Sequence, residues 1–166
     1  MKNIYLIGGT MGVGKSTICR IMKYKLNNSV FLDGDWCWDM HPFLVTDETK
    51  QMVMENICFL LNNFLGCSAI ENVVFCWVMH EQVIINDILS RIETSNCKIH
   101  LISLVCSQQE LRTRLTKDVE AGIRMEDVIQ RSIERIPFYE ALKTVKVDVS
   151  NRSPEQAADY IIELCT

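Results

Sequence analysis

The chain has 166 residues, a hydrophobic fraction of 48% and a formal net charge of −4, and its basic residues are dispersed along the sequence. A chain of this length typically forms one domain with a substantial core, so we expect a single domain over residues 1–166. The mildly acidic, dispersed charge disfavours a nucleic acid as the main partner, and no apolar run is long enough to span a membrane.

The eight cysteines form no C-x-x-C pair and no cysteine and histidine cluster with zinc spacing. Several of them, such as Cys58, Cys76 and Cys106, lie within apolar runs, where a thiol behaves as a small buried hydrophobic group. The first apolar segment begins at residue 4 and is interpreted as a strand, so we expect no signal peptide. We therefore expect a cytoplasmic protein with reduced thiols, either a monomer or a homodimer.

The first predicted strand runs directly into a glycine-rich loop and a helix. Residues 4–7 are apolar and predict a strand, and apolar residues at helical spacing from Ile18 predict a helix that starts near Lys15. Between them, residues 9–16 (GTMGVGKS) match the pattern G-x-x-x-x-G-K-[ST] of a phosphate-binding loop. The alternative is a glycine-rich turn that binds nothing, but the strand before the loop and the helix after it favour NTP binding.

The residue types in this loop suit a polyphosphate. Glycine lets several backbone N–H groups approach an anion closely, and the helix N-terminus adds the positive end of its dipole. Lys15 would reach the β- and γ-phosphates of ATP, and the Ser16 hydroxyl would bind Mg²⁺. The candidate nucleotide-binding residues of this segment are Gly9, Thr10, Met11, Gly12, Val13, Gly14, Lys15, Ser16 and Thr17.

Strands and helices alternate along the rest of the chain. Further strands are predicted over residues 29–33, 72–78, 98–106 and 145–149. Helices are predicted over residues 47–65, 80–92, 108–117 and 125–142, and a capping box at residues 153–156 opens a final helix. Residues 34–43 are too rich in Gly, Asp, Trp and Pro for regular structure and predict a loop. This alternation predicts an α/β fold in which helices cover both faces of a parallel sheet.

Two acidic residues follow the second predicted strand. Asp33 ends the strand, and Asp35 follows two positions later. Because ligands of such sheets bind beyond the carboxyl ends of the strands, we expect the loop after Asp33 and the residues after Val78 to face the phosphates. The alternative role of the two aspartates is to form a turn around Gly34.

Four segments carry a family resemblance. They are GGTMGVGKST at residues 8–17, FLDGD at residues 31–35, SQQELRTRL at residues 107–115 and VDVSNRSPEQAADYI at residues 147–161. Together they resemble the small P-loop kinases, the group that contains shikimate, gluconate and adenylylsulfate kinases and chloramphenicol phosphotransferase. The resemblance implies a three-layer P-loop NTPase fold with strand order 2-3-1-4-5. It also implies an acceptor region at about residues 34–65 and a short helical lid at about residues 117–137.

The resemblance also implies a role for the matching residues. Asp35 would take or position the proton of the acceptor hydroxyl, and Asp33 would hold Mg²⁺ through water, together with Ser16. Arg114 would lie against the adenine. Phosphoryl transfer needs little from a protein beyond positioning and charge neutralisation, so these few groups would supply most of the catalysis.

A lid arginine would complete the set by covering the phosphates. Three residues are candidates: Arg124, Arg131 and Arg135. We select Arg131 as catalytic together with Lys15 and Asp35, although its position four residues after Asp127 also suits a surface ion pair.

The predicted acceptor region is acidic and aromatic. Between Leu26 and Arg91, the only Lys or Arg is Lys50. Arginine is the usual clamp for a carboxylate or phosphate, because its fork matches the anion. We therefore predict ATP-dependent phosphate transfer to a hydroxyl of a small neutral or cationic molecule, such as a nucleoside, a sugar or an antibiotic. Trp36 and Trp38 would supply an apolar wall for it.

Two other functions remain open at this point. A nucleoside-monophosphate kinase would need an acceptor clamp supplied by the lid. A regulatory module would hold NTP without transferring phosphate to a small molecule. The third strand does not end in the Asp that binds metal in switch-type NTPases, and there is no NKxD-like motif, which disfavours a GTPase.

Overall fold

A five-stranded sheet sets the position of every other element. In the computed structural model, which describes residues 1–166, the strands are Lys2–Gly9 (β1), Ser29–Asp33 (β2), Asn72–Cys76 (β3), Cys97–Val105 (β4) and Val145–Asp148 (β5). All neighbouring pairs are parallel, and the order across the sheet is β2-β3-β1-β4-β5. The predicted strand order is therefore confirmed.

Helices cover both faces of this sheet. They are Lys15–Lys25 (α1), Asp47–Gly66 (α2), Gln82–Arg91 (α3), Gln108–Glu120 (α4), Asp127–Glu134 (α5), Ile136–Ala141 (α6) and Pro154–Cys165 (α7). Buried side chains of α1, α4, α5 and α7 pack in one core, and those of α2, α3 and α6 pack in a second core on the opposite face. This arrangement confirms the predicted three-layer α/β fold.

The central strand β1 belongs to both cores. Tyr5 and Ile7 pack with the α1 side of the sheet, whereas Ile4 and Leu6 pack with the α2 side. Successive side chains of a strand point to opposite faces, so a strand that is covered on both faces must be apolar throughout. This requirement explains the continuous apolar run that leads into the glycine-rich loop.

Several predicted bounds differ from the structure by one to three residues, and in two segments the type or number of elements differs. Residues 34–43 are not irregular throughout, because Gly34–Trp38 form a short 3₁₀ helix whose N-terminus is capped by the Asp33 side chain. The helix predicted over residues 125–142 is divided into α5 and α6 at Arg135. Pro137 has no N–H group and its ring would clash with a carbonyl one turn earlier, so it fits only in the first turn of a new helix.

Two further observations concern membrane-spanning helices and the state of the cysteines. No helix is long enough and apolar enough to cross a lipid bilayer. All eight cysteines are free thiols, and Cys58, Cys76 and Cys106 are buried.

A polar network joins β1, β3 and β4 near their amino ends. Asn3 Nδ2 donates to Asn72 Oδ1 at 3.0 Å, and His100 Nε2 lies 3.2 Å from Asn3 Oδ1. The His100 ring stacks on Tyr5 with ring centroids 4.7 Å apart. Burial lowers the pKa of His100 below its ordinary value of 6.5, and the nearby Lys98 adds to this effect. The folded protein therefore favours the neutral form of His100.

We expect His100 to make unfolding easier as the pH falls from about 7.5 to about 5.5. Because its pKa is lower in the folded state than in the unfolded chain, the stabilisation is present above the unfolded value of 6.5 and is lost below it. Melting temperatures measured across this range should fall less in His100→Asn than in the wild type or in the exposed control His41→Asn. An equal fall in melting temperature in all three proteins would contradict a role of His100 in the pH dependence of stability.

Candidate active site

The glycine-rich loop between β1 and α1 has a conformation that requires glycine. Gly12 and Gly14 have φ values of 85° and 102°, which side-chain-bearing residues rarely adopt. A Cβ atom at Gly12 would also lie 2.4 Å from Leu115 Cδ2 in α4. Val13 between these glycines is fully buried in the core, so it can contribute only its backbone to a ligand. The loop therefore presents main-chain groups toward the start of α1, where an anion is favoured.

Lys15 is held against the start of the loop. Its Nζ donates to the carbonyl oxygens of Gly9 at 2.8 Å and Thr10 at 3.0 Å. Burial lowers the pKa of Lys15, and this effect is opposed by nearby groups that include the carboxylates of Asp35 and Asp33. The ammonium group is thus bonded to the loop, and the charges of the two acidic residues at the carboxyl end of β2 act on it.

Asp33 connects the loop to the opposite wall of the site. Its buried carboxylate accepts a hydrogen bond from the Ser16 hydroxyl through Oδ2. It also accepts one from the backbone N–H of Asp35 through Oδ1, at 3.0 Å. The structure therefore brings together Ser16 and Asp33, the two residues predicted to bind metal.

A hydroxyl and a carboxylate are oxygen ligands of the kind that Mg²⁺ prefers, so the pair fits this ion. No group of three or more His, Cys, Asp or Glu side chains could hold a metal without other ligands. Mg²⁺ at this place would therefore complete its coordination with water and phosphate oxygens, as it commonly does.

Asp35 stands at the mouth of the site. Removal from water raises the pKa of its carboxyl group, and the neighbouring Asp33 carboxylate raises it further. Lys15, Trp77 and Arg124 lower it in turn. A carboxylate with a raised pKa is a better proton acceptor, provided that it is ionised at the working pH.

The backbone next to Asp35 is packed against an indole ring. A Cβ atom at Gly34 would lie 2.5 Å from Cδ1 and Cγ of Trp77, so only glycine fits there without movement. Trp77 follows β3 and lies 6.3 Å from the Trp38 ring, centroid to centroid. The position of Asp35 therefore depends on close packing between the 3₁₀ helix and the segment after β3.

We expect Gly34→Ala to destabilise the protein by about 1–3 kcal/mol, because the added methyl group overlaps Trp77. The same substitution in a Trp77→Ala background should cost clearly less, since Cγ and Cδ1, the two Trp77 atoms nearest the added methyl group, are removed. Gly66→Ala is the matched control, because nothing lies within 4 Å of its added Cβ. Urea unfolding of the four variants gives these values, and an equal cost of Gly34→Ala in both backgrounds would contradict the packing explanation.

Most of the predicted site residues line one cleft of about 280 Å³. Its walls are Met11, Gly12, Gly14, Lys15, Ser16, Thr17, Asp35, Val78, Arg114, Asp118 and Arg124. A larger cavity of 540 Å³ lies near Lys2 and Cys97, at the amino ends of β1 and β4. We place the candidate site in the smaller cleft, because ligands of parallel α/β sheets bind at the carboxyl ends of the strands.

Arg114 in α4 is fully engaged by protein groups. Its Nε donates to Glu110 at 2.8 Å, Nη1 to the Val13 carbonyl at 3.1 Å and Nη2 to the Val149 carbonyl at 2.9 Å. It therefore ties α4 to the phosphate loop and to the segment after β5. A guanidinium group held in this way can still stack on a flat ring, and the place of Arg114 beside the adenine stays a prediction.

The structure does not bring Arg131 into this cleft. Arg131 lies on the exposed side of α5, and its Nη1 is 3.4 Å from Asp127 Oδ2. The apolar positions Val128 and Ile133 turn toward the core, which directs position 131 outward. Arg124, which we considered but did not select, lines the cleft instead. Its Nε donates to Asp118 Oδ2 at 2.9 Å.

Two contacts of the site were missed by sequence reasoning. The buried Thr10 hydroxyl donates to the Ser132 carbonyl at 2.7 Å, so the phosphate loop is bonded directly to α5. Asp118 enters the cleft from the end of α4. The only sequence signal for Asp118 was its place in a charged stretch six residues before Arg124. Nothing in the sequence indicated the contact between Thr10 and Ser132, which are 122 residues apart.

His80 lies beside the site on the segment after β3. Its Nε2 is 3.2 Å from Glu81 Oε1, and its ring meets Phe138 edge to face. Burial lowers the pKa of His80, and the charge of Arg135 lowers it further. The positive charge of Arg135 therefore acts on His80.

Comparisons with known proteins agree with this architecture. The family model described as "AAA domain" matches residues 6–135. No curated protein matches the sequence. The chain is similar in structure to a sugar kinase from Janibacter sp. HTCC2649, with a TM-score of 0.72 and 13% identity over 98% of this chain and 93% of that chain.

Two further solved structures show the same likeness. A gluconokinase from Sinorhizobium meliloti 1021 has a TM-score of 0.67 and 18% identity, over 98% of this chain and 93% of that chain. A shikimate kinase from Acinetobacter baumannii in complex with shikimate has a TM-score of 0.63 and 19% identity, over 99% of this chain and 92% of that chain. At these identities the likeness establishes the fold, which is that of the P-loop kinases.

Proposed function

The chain belongs to the AAA domain family, and from that premise we propose that it is an ATP-dependent phosphotransferase. Its acceptor is a hydroxyl group of a small neutral or cationic molecule. The observation that carries the proposal is the meeting of Lys15, Ser16, Asp33 and Asp35 at the carboxyl ends of β1 and β2. These groups are what phosphoryl transfer requires, namely charge neutralisation, a place for metal and a base for the attacking hydroxyl.

Each residue has a defined task in the proposed reaction. The backbone N–H groups of residues 12–16 and the Lys15 ammonium hold the phosphates of ATP. Ser16 and Asp33 hold Mg²⁺, which when bound supplies positive charge to the phosphate oxygens. The acceptor oxygen attacks the γ-phosphorus while Asp35 takes its proton, and the bond from that phosphorus to the β-phosphate oxygen breaks, so that ADP leaves. Arg124 neutralises charge on the transferred group.

The charge near Asp35 supports a neutral or cationic acceptor. The segment from β2 through α2 contains Lys50 as its one Lys or Arg, and Lys50 lies beside Asp47 on an exposed helix turn. Trp36 and Trp38 stand close to Asp35 in the same segment, and Trp36 is 54% exposed. An acidic wall with accessible aromatic rings suits a flat or positively charged molecule better than a second phosphate.

A second candidate function is phosphate transfer to a nucleoside monophosphate. One observation favours it: Arg135 forms no ion pair with the protein, and its charge acts on His80 beside the site. An unpaired guanidinium group is a natural partner for an anionic acceptor.

A panel of acceptors incubated with γ-labelled ATP and magnesium separates these functions. We expect label in nucleosides, sugars or aminoglycoside-like molecules and none in monophosphates. Label in monophosphates alone would replace the first function by the second. ATP binding in calorimetry without transfer to any acceptor would indicate a regulatory module instead of a kinase.

A further inference from the structure

Arg124 is held over the cleft by one acidic residue. Its Nε donates to Asp118 Oδ2 at 2.9 Å. The backbone N–H groups of Ile123 and Arg124 also donate to the Asp118 carbonyl, at 2.9 Å and 3.4 Å. Gly122, with a φ of 72°, allows the chain to turn back in this way at the end of α4. Asp118 therefore holds both the backbone and the side chain of the segment that carries Arg124.

The ion pair with Asp118 uses only Nε of Arg124 and leaves both Nη groups without a protein partner. Arg114 in the same cleft differs, because its Nε and both of its Nη atoms are used. Two free Nη groups in one plane match two oxygens of a phosphate.

We propose that Asp118 is a positioning residue for phosphate transfer, which fixes Arg124 through Nε so that its Nη groups face the transferred phosphate. This role rests on the proposed kinase function. Asp118 touches neither the acceptor nor the phosphate in this role. Its negative charge in the cleft opposes the binding of ATP, so its benefit must come from the orientation of Arg124.

These opposed effects predict a separation of binding from catalysis. Asp118→Asn removes a charge that repels phosphate, so ATP should bind as tightly as in the wild type or several-fold more tightly. The same change releases Arg124, so kcat for transfer, or for slow hydrolysis of ATP without acceptor, should fall by about tenfold to a hundredfold. A residue with a merely structural role would lower the melting temperature and weaken binding and catalysis together.

The experiment compares Asp118→Asn, Asp118→Glu, Arg124→Lys and the double variant Asp118→Asn/Arg124→Lys. ATP affinity is measured by calorimetry with magnesium, and kcat is measured with labelled ATP. Asp127→Asn is the matched control, because it breaks a comparable ion pair with Arg131 on the exposed side of α5. We expect the control to retain wild-type kcat and Asp118→Glu to recover part of it. The double variant should be no slower than Arg124→Lys alone, because the two residues act as a unit.

Three results would overturn the role of Asp118. They are an unchanged kcat in Asp118→Asn, a parallel loss of affinity and kcat, and losses that simply add in the double variant. The role would also be overturned if Asp118→Asn and Asp118→Glu had the same lowered melting temperature and the same kcat. Failure of the kinase function is a distinct result, because it is an absence of transfer and hydrolysis in the wild-type protein.

Discussion

Asp35→Asn is expected to lower the rate of phosphate transfer by about a hundredfold to ten-thousandfold, the usual contribution of a general base. The amide has nearly the shape of the carboxylate, and the backbone N–H that caps onto Asp33 is unchanged. ATP binding should therefore survive, because in the proposed function Asp35 contacts the acceptor and not the nucleotide. Initial rates with labelled ATP and calorimetric titration with ATP measure the two effects separately.

The dependence of this reaction on pH gives a second test of Asp35. The pKa of its carboxyl group is raised, so in the wild type the rate should fall with decreasing pH at values above the ordinary 3.8 of an aspartate. Asp35→Asn should lack this acidic limb. Asp39→Asn in the same segment is the control and should keep both the rate and the limb. A slow Asp35→Asn variant with an unchanged pH profile would contradict the assignment of Asp35 as the base.

Lys15→Met is expected to lower transfer by about a thousandfold or more, because the positive charge closest to the phosphates is lost. The methionine keeps most of the aliphatic chain but cannot donate to the carbonyl groups of Gly9 and Thr10. In contrast to Asp35→Asn, this variant should also bind ATP more weakly, since the ammonium group contacts the bound phosphates in the proposed function. Calorimetry and labelled-phosphate transfer again measure both quantities.

The matched control for Lys15→Met is Lys23→Met. Lys23 lies on the same helix, and its Nζ stacks on the exposed Tyr24 ring at 4.0 Å from the ring centroid. This second substitution should leave transfer and ATP affinity unchanged. A wild-type rate of transfer in Lys15→Met would contradict a role of the phosphate loop in catalysis.

The sheet was predictable because β1, β2 and β3 each contain a short, continuously apolar run, and helical spacing of apolar residues separates the strands. β2 has the bounds that its sequence indicates, Ser29–Asp33, and the strand order followed from the family resemblance. The division between α5 and α6 could have been anticipated from Pro137, but the apolar spacing on both sides of it favoured one long helix. The 3₁₀ helix after β2 was not predictable from composition, because it depends on the Asp33 cap and on the contact of Gly34 with Trp77.

The candidate site was predictable on the side where the residues follow one another in sequence. The phosphate loop is contiguous, and Asp33 and Asp35 lie close together in sequence at the end of β2, where Asp33 is bonded to Ser16 of the loop. The arginine side was not predictable, because α5 rotates Arg131 to the surface while the turn after α4 brings Arg124 back over the cleft. Three arginines, Arg124, Arg131 and Arg135, lie within twelve residues of one another, and only the folded chain distinguishes them.

The carboxylate of Asp33 has one oxygen bonded to Ser16 and the other to the main chain of Asp35. Any replacement at position 33 therefore disturbs both the contact with Ser16 and the backbone that carries Asp35. This position is unsuitable for changing the acceptor preference. Libraries for altered selectivity are better directed to the largely exposed stretch at residues 36–46, which belongs to the proposed acceptor region and forms no hydrogen bond with the phosphate loop.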